Sequence, residues 1–150
     1  MNYIKLLTAA LTATAIMTGF MLFAPLIGLP KMDVGTLLGE MFGGSKVVGW
    51  IVHVVIGLIM LLPYAFFFNH WIPVENKFAR GAIYGILVFV FSEIIFFIVN
   101  FTGHLTNPDK EHMAMMVFGN ALACMVYGAV LGAFFDRKEK DGMEMAKGNA

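Results

Sequence analysis

The sequence contains little charge. Only 13% of its 150 residues are charged, ten basic and ten acidic, whereas a soluble domain has about 25%. Hydrophobic residues make up 59% of the chain, more than the core of a small soluble domain can bury. With a net charge of zero and no basic stripe, a nucleic-acid partner is not expected. The composition favours an integral membrane protein whose partner is the lipid bilayer.

Cysteine pairs and recognised catalytic motifs are also missing. Cys124 is the only cysteine, which excludes a disulfide within the chain. The sequence has no nucleophile elbow, no phosphate-binding glycine loop and no Ser-His-Asp order. The sequence therefore favours a non-enzymatic role over an enzymatic one without deciding between them.

Four apolar stretches are long enough to cross the hydrocarbon core, which takes about 20 residues: residues 6–29, 47–68, 79–101 and 113–135. Helices are expected, because backbone polar groups in lipid must be satisfied within the segment. The first stretch is too long for a signal peptide, so we expect it to be retained. The predicted fold is an all-α integral membrane four-helix bundle. It forms a single transmembrane domain over residues 1–150, with a polar cytoplasmic tail over residues 136–150.

The basic residues are distributed unequally between the two sides of the predicted membrane. Three lie on one side, namely Lys31, Lys46 and Lys110. Seven lie on the other, namely Lys5, Lys77, Arg80, Arg137, Lys138, Lys140 and Lys147. Since cytoplasmic loops carry the excess of Lys and Arg, this pattern predicts that both termini are cytoplasmic.

The first outer loop contains its own helix signals. Asp33 is placed to cap a short helix over residues 34–42, and Gly43-Gly44 would end it. Gly35, Gly39 and Gly43 would leave one helix face bare, which favours packing against the bundle. An ordinary interfacial connector is the alternative.

Small residues at four-residue spacing predict where the long helices meet. Gly81 and Gly85 form such a pair in the third stretch, and Gly128 and Gly132 form one in the fourth. Close backbone approach at small residues is how helices associate in lipid. We expect these pairs to pack within the chain, with a homo-oligomer interface as the alternative.

Each stretch carries one polar residue at a similar depth. At 1.5 Å per residue, His53, Glu93 and Asn120 lie about 9–12 Å below the outer ends of their helices, and Thr18 reaches the same level. If their helix faces point inward, they form a polar pocket in the outer half of the bundle. The predicted inward face of the third helix contains Glu93 and Phe97.

Glu93 is the most informative residue of this layer. A carboxylate at a helix centre costs about 2.5–3.5 kcal/mol on insertion scales, so we expect Glu93 to be protonated or paired with His53. A charged residue at this depth is a functional candidate by default. A hydrogen bond between Glu93 and His53 that only holds the bundle together is the alternative.

Several occupants of the pocket remain open. The candidate metal ligands are His53, Glu93, His104 and His112, without a recognised ligand spacing. A copper(I) site would add Met113, Met116 and Cys124, although methionine also fills cores. Haem is a further alternative, but His53 is the only histidine placed well within a stretch. No second carboxylate continues a proton path.

Several segments, most of them in the first half of the chain, are similar to a known family. They are residues 13–18, 24–34, 37–39 and 49–53, with Gly57, and more loosely residues 81–85. They resemble an uncharacterised family of small bacterial four-helix membrane proteins, a domain of unknown function. The resemblance implies four spans and a bacterial inner membrane, and it implies that His53 belongs to the family pattern. It implies no activity and no cofactor.

Two functional hypotheses follow. The first is a non-enzymatic accessory or structural subunit of a larger membrane complex of the respiratory type, because the chain is small and lacks catalytic motifs. The second is a membrane protein that handles a metal, a proton or a small molecule in the polar pocket, with a homo-oligomer as one form it can take.

Overall fold

The computed structural model describes residues 3–71, 73–101 and 110–135, and these residues form helices and no strand. In chain order the helices are α1 (Tyr3–Phe23), α2 (Val34–Met41), α3 (Lys46–Pro63), α4 (Asn69–Trp71), α5 (Lys77–Phe101) and α6 (Lys110–Phe134). A 3-10 turn over Ala24–Ile27 extends α1, and a π-helical turn over Tyr64–Phe68 joins α3 to α4.

Four helical segments are long and apolar enough to cross a membrane: Tyr3–Ile27, Lys46–Phe68, Lys77–Ile98 and Ala114–Phe134. Every end lies within three residues of the predicted one, so the predicted all-α four-helix fold is confirmed. The short helix α2 in the first loop is confirmed as well. The predicted polar tail, residues 136–150, lies outside the described residues.

The first loop turns where the sequence allows it. Gly28 ends the 3-10 turn at φ +85°, and Gly43 follows α2 at φ +62°, a region that residues with a Cβ rarely enter. Asp33 caps α2, its Oδ1 accepting a hydrogen bond of 3.1 Å from the Thr36 amide. Its other oxygen accepts from Lys46 Nζ, so the start of α2 is tied to the start of α3.

The second span changes its helical geometry beside a proline. Pro63 has no amide hydrogen to donate and crowds the preceding turn, and the π-helical turn Tyr64–Phe68 follows it directly. Asn76 caps the N-terminus of α5. Its Oδ1 accepts hydrogen bonds from the amides of Phe78 and Ala79 at 3.0 and 3.3 Å.

Helices α5 and α6 pack closely along each other, and α1 packs against both α3 and α6. The contact between α5 and α6 is made by Gly81 and Gly85 against Gly128 and Gly132. A Cβ added to Gly81 would overlap the carbonyl oxygen of Gly128, and the reverse is also true. The prediction that these pairs pack within the chain is confirmed.

Helix α2 lies on α3 through a second set of glycines. A Cβ on Gly35 would overlap the Trp50 ring, and one on Gly49 would overlap the carbonyl oxygen of Gly35. Gly39 approaches the Ser45 carbonyl in the same way. Gly43 has nothing within 4 Å of its Cβ position, so its role is to end α2 and not to extend the contact face.

The bundle is most tightly packed in the half away from α2. Its core consists of Leu6, Ala9, Ala10, Ala13, Leu61, Tyr64, Ala65, Tyr84, Tyr127 and Leu131. Tyr84 OH donates a hydrogen bond to the Met60 carbonyl, and Tyr127 OH donates one of 2.6 Å to the Gly57 carbonyl. These two hydroxyls join α3 to α5 and α6.

The tightly packed half away from α2 is called here the closed half, and its end the closed end. Arg80 is buried at the closed end, with 1% of its surface exposed. Its guanidinium donates to the carbonyl oxygens of Val74, at 3.0 Å, and Phe135, at 2.9 Å. Carbonyls after the last turn of a helix have no partner within that helix. Arg80 therefore stabilises the end of α6 and holds the preceding loop against it.

Candidate functional site

A cavity of about 650 Å³ occupies the half of the bundle nearest α2. All four spans and α2 contribute to its lining, and Thr14, Gly57 and Tyr127 lie where it meets the closed half. Its volume falls within the range of about 300–1,000 Å³ that is usual for small-molecule sites. The arrangement can enclose a small organic molecule.

The exposure of two lining residues indicates that the cavity opens to the side between α3 and α5. Ile59 of α3 and Phe91 of α5 both line the cavity, yet they are 51% and 48% exposed. In the closed half the same two helices are bridged by Tyr84, and at the level of Phe91 the structure has no such bridge among its described residues. Both helices belong to segments that are long and apolar enough to cross a membrane, so the opening lies on a side of the bundle that lipid would cover.

His53 lies on one wall of the cavity. The Thr18 hydroxyl is 3.1 Å from His53 Nε2, a hydrogen bond that links α1 to α3. The imidazole also meets the edge of the Trp50 ring, with the ring centroids 5.9 Å apart. His53 is 8% exposed, so these neighbours fix its position while one side of it contacts the cavity.

Glu93 also lines the cavity, in a hydrogen-bonded group that joins α5 to α6. Asn120 Nδ2 donates to Glu93 Oε1 at 2.8 Å and to Ser92 Oγ at 3.1 Å. Asn120 Oδ1 lies 3.8 Å from the Cys124 sulfur. The Asn120 amide therefore orients the carboxylate, and one carboxylate oxygen, Oε2, accepts no hydrogen bond from any described residue.

The four residues predicted to form a polar layer fall into two separate pairs. His53, Glu93 and Asn120 line the cavity, and Thr18 joins the site only through His53. The described residues do not show the predicted hydrogen bond between Glu93 and His53. Glu93 is hydrogen-bonded to Asn120 instead, and His53 is hydrogen-bonded to Thr18. One polar pair joins α1 to α3, and the other joins α5 to α6.

Helix α5 is rotated about its axis relative to the prediction, so the face that points inward differs from the predicted one. Phe97 is 70% exposed, while Ser92 and Phe96 line the cavity beside Glu93. The glycine contact with α6 sets this rotation, because Gly81 and Gly85 must face α6. Glu93 consequently lies at the edge of the buried face and not at its centre.

The remaining metal candidates are not brought together by the described part of the chain. His104 lies outside the described residues, as do the side chains of His112 and Met113. Among the described residues no three His, Cys, Asp or Glu side chains are close enough to share a metal ion. Met116 and Cys124, the other copper(I) candidates, do line the cavity.

The sequence analysis missed the concentration of methionine at this site. Six of the eight methionines whose side chains are described line the cavity: Met17, Met21, Met32, Met41, Met60 and Met116. Thioether side chains are flexible and polarisable, and they adapt to varied apolar ligands. The high methionine content of the chain, twelve residues, was the signal available in the sequence.

Thr14, one turn from Thr18 on the same face of α1, lines the cavity. It is 4% exposed, and its hydroxyl has no hydrogen-bond partner. A Cβ on Gly57 would overlap this hydroxyl, so the threonine occupies the space that the glycine leaves open. An unpaired hydroxyl in an apolar interior is costly, which makes Thr14 a candidate partner for a bound molecule.

Apart from Glu93, the acidic and basic residues of the cavity lining lie towards α2. Lys31, Asp33 and Glu40 line the cavity there, outside the four spans. The hydrogen bond from Lys46 holds the pKa of Asp33 below its ordinary value of 3.8. Asp33 therefore carries a negative charge at neutral pH and stays paired with Lys46.

Four membrane-crossing helices around a laterally open cavity define a small integral membrane protein. Residues 2–144 match the family of unknown function DUF6789, and the chain belongs to that family. This confirms the resemblance to an uncharacterised family. No curated protein and no solved structure matches the chain.

Proposed function

We propose that the protein binds a small lipid-soluble molecule inside the membrane, in the cavity between its four spans. The observation that carries this proposal is the cavity of about 650 Å³ that opens between α3 and α5. A bundle whose only task was to pack would have little reason to leave this volume unfilled, since protein interiors are close-packed.

The chemistry of the walls supports an amphipathic ligand. Most of the lining is apolar, and a few polar groups converge on it, which is the usual composition of a small-molecule site. His53 on α3 and Glu93 on α5 offer hydrogen-bonding groups to the cavity, each oriented by a neighbour. The side opening provides a route from the lipid phase, so the ligand need not cross water.

The test is mass analysis of the protein drawn from its native membrane in mild detergent, with two variants. Met116→Trp adds bulk inside the cavity, whereas Met115→Trp makes the same change at a neighbouring side chain that is 43% exposed and does not line it. Overpacking costs about 1–3 kcal/mol, and 1.4 kcal/mol is a factor of ten in affinity. We expect Met116→Trp to lower the amount of bound molecule at least severalfold and Met115→Trp to leave it unchanged.

The outcomes separate the two functional hypotheses. A bound molecule that disappears in Met116→Trp alone supports the binding function. No bound mass in the unsubstituted protein, together with a stoichiometric membrane-protein partner, favours the accessory or structural subunit of a larger complex. In support of the subunit, the span Lys77–Ile98 is the least buried of the four: only 17% of an 18-residue apolar stretch within it is buried in the bundle, which leaves surface for a partner.

The proposal includes an orientation and a location. It places the protein in the bacterial cytoplasmic membrane, as a single transmembrane domain with both termini in the cytoplasm and the cavity in the outer half. The support is the excess of basic residues, seven against three, and the bacterial family that the sequence resembles. Tagging each terminus and testing its accessibility to a membrane-impermeant reagent checks the orientation.

A further inference from the structure

Glu93 is the only acidic residue within the four spans. Its surroundings orient it without neutralising it, because its described partner is the neutral amide of Asn120. The salt bridge given by the described residues, Lys46 to Asp33, lies outside the membrane interior. A carboxyl group at this depth is expensive to maintain as a charge, and a positively charged ligand would offset that cost.

The cavity wall around Glu93 is suited to a large, weakly hydrated cation. Phe91 and Phe96 of α5 line the cavity together with Glu93, and Tyr127 lines it from α6. Aromatic faces attract organic cations, most strongly where water is excluded. The six cavity methionines add polarisable apolar surface that conforms to ligands of different shape.

Other ligand charges fit this cavity less well. An anionic head group would meet Glu93, and the one lysine in the described lining, Lys31, lies at the α2 end and is exposed. A neutral molecule would fill the volume but leave the carboxylate without a compensating charge. A small metal ion would find no cluster of three His, Cys, Asp or Glu ligands among the described residues.

We propose that the cavity takes a lipid-soluble monovalent organic cation, such as a quaternary ammonium or phosphonium compound, with its positive charge against the Glu93 carboxylate. This inference rests on the proposed binding function and specifies its ligand class. The apolar body of the cation lies among the methionines and phenylalanines, and it enters from the lipid between α3 and α5.

The experiment uses the full chain in mild detergent with two probes of similar shape. Methyltriphenylphosphonium carries one positive charge, and triphenylphosphine oxide, in which an oxygen takes the place of the methyl group, is neutral. Binding is measured by equilibrium dialysis for the unsubstituted protein, for Glu93→Gln and for Glu75→Gln. Glu75 is exposed in the loop at the closed end of the bundle, so it provides the same chemical change away from the cavity.

We expect the unsubstituted protein to bind the cation about tenfold or more tightly than the neutral probe, because opposite charges in a poorly solvated site attract strongly. Glu93→Gln should remove that preference, and Glu75→Gln should keep it. The preference in the unsubstituted protein tests the proposal even if Glu93→Gln does not fold.

The results that overturn the proposal differ from those that overturn the binding function. Equal binding of both probes, unaffected by Glu93→Gln, would overturn the cation and leave a small-molecule site in place. If neither probe binds and no native molecule is retained by the purified protein, the binding function itself fails.

Discussion

The close contact between α5 and α6 gives the sharpest test of how this bundle holds together. A Cβ at Gly85 would fall against the Cys124 carbonyl and 2.7 Å from Met125 Cα. Both are main-chain atoms, which no rotamer change can move, so the two helices must separate. We therefore expect Gly85→Ala to destabilise the protein.

The magnitude follows from two opposing effects. Overpacking costs about 1–3 kcal/mol, and rigid backbone on both sides places this site in the upper half of that range. Replacing glycine by alanine within a helix returns about 0.5–1 kcal/mol. The net loss for Gly85→Ala is then about 1–2.5 kcal/mol of unfolding free energy.

Gly19→Ala is the matched control, because it is the same change in a long helix and nothing lies within 4 Å of its Cβ position. It should leave the protein unchanged or stabilise it by about 0.5–1 kcal/mol. Both variants are measured by titrating SDS into the protein in mild detergent and following helicity by circular dichroism. If Gly85→Ala were as stable as Gly19→Ala, the proposed contact would not exist at this distance.

Two further predictions concern the tyrosine bridge and the cap of α2. Tyr127→Phe removes the hydrogen bond to the Gly57 carbonyl, and it should cost about 0.6–1.7 kcal/mol in the same titration. Tyr3→Phe, at a side chain that is 83% exposed, should cost nothing, and equal effects would contradict the bridge. The hydrogen bond with Lys46 lowers the pKa of Asp33. The ionised Asp33 side chain therefore stabilises the folded protein fully above pH 3.8, and this stabilisation is lost as the pH falls through the lowered pKa. Amide-exchange protection of α2 should fall over that range, and Asp33→Asn should abolish the pH dependence; an unchanged dependence would show that another group is responsible.

The sequence was sufficient for the helices and insufficient for their rotation. Spans follow from the length of apolar runs, and α2 follows from Asp33 and the glycines around it, because these are local properties. The depth of His53 and Glu93 also follows from the rise per residue. Which neighbour each side chain meets depends on the order and rotation of the helices, which local pattern does not contain.

Two residues illustrate this limit. Depth alone favoured a contact between Glu93 and His53, but the glycine contact turns α5 so that Glu93 meets Asn120 on α6. Arg80 was counted among the basic residues that mark the cytoplasmic side, and nothing in the sequence indicated that its side chain is buried, with 1% exposed. The burial of Arg80 depends on Phe135, 55 positions along the chain, which no local signal could indicate.

The contact between Arg80 and Phe135 has a consequence for the order in which the protein assembles. The guanidinium enters the bundle with the third span but gains one of its two carbonyl partners only when the end of α6 is in place. Until then, a permanently charged group lies at the membrane boundary with part of its hydrogen bonding supplied by water or lipid head groups. The residues at the end of α6 thus complete the hydrogen bonding of the third span as well as the fourth. Without them, Arg80 would remain hydrated in the closed half of the bundle.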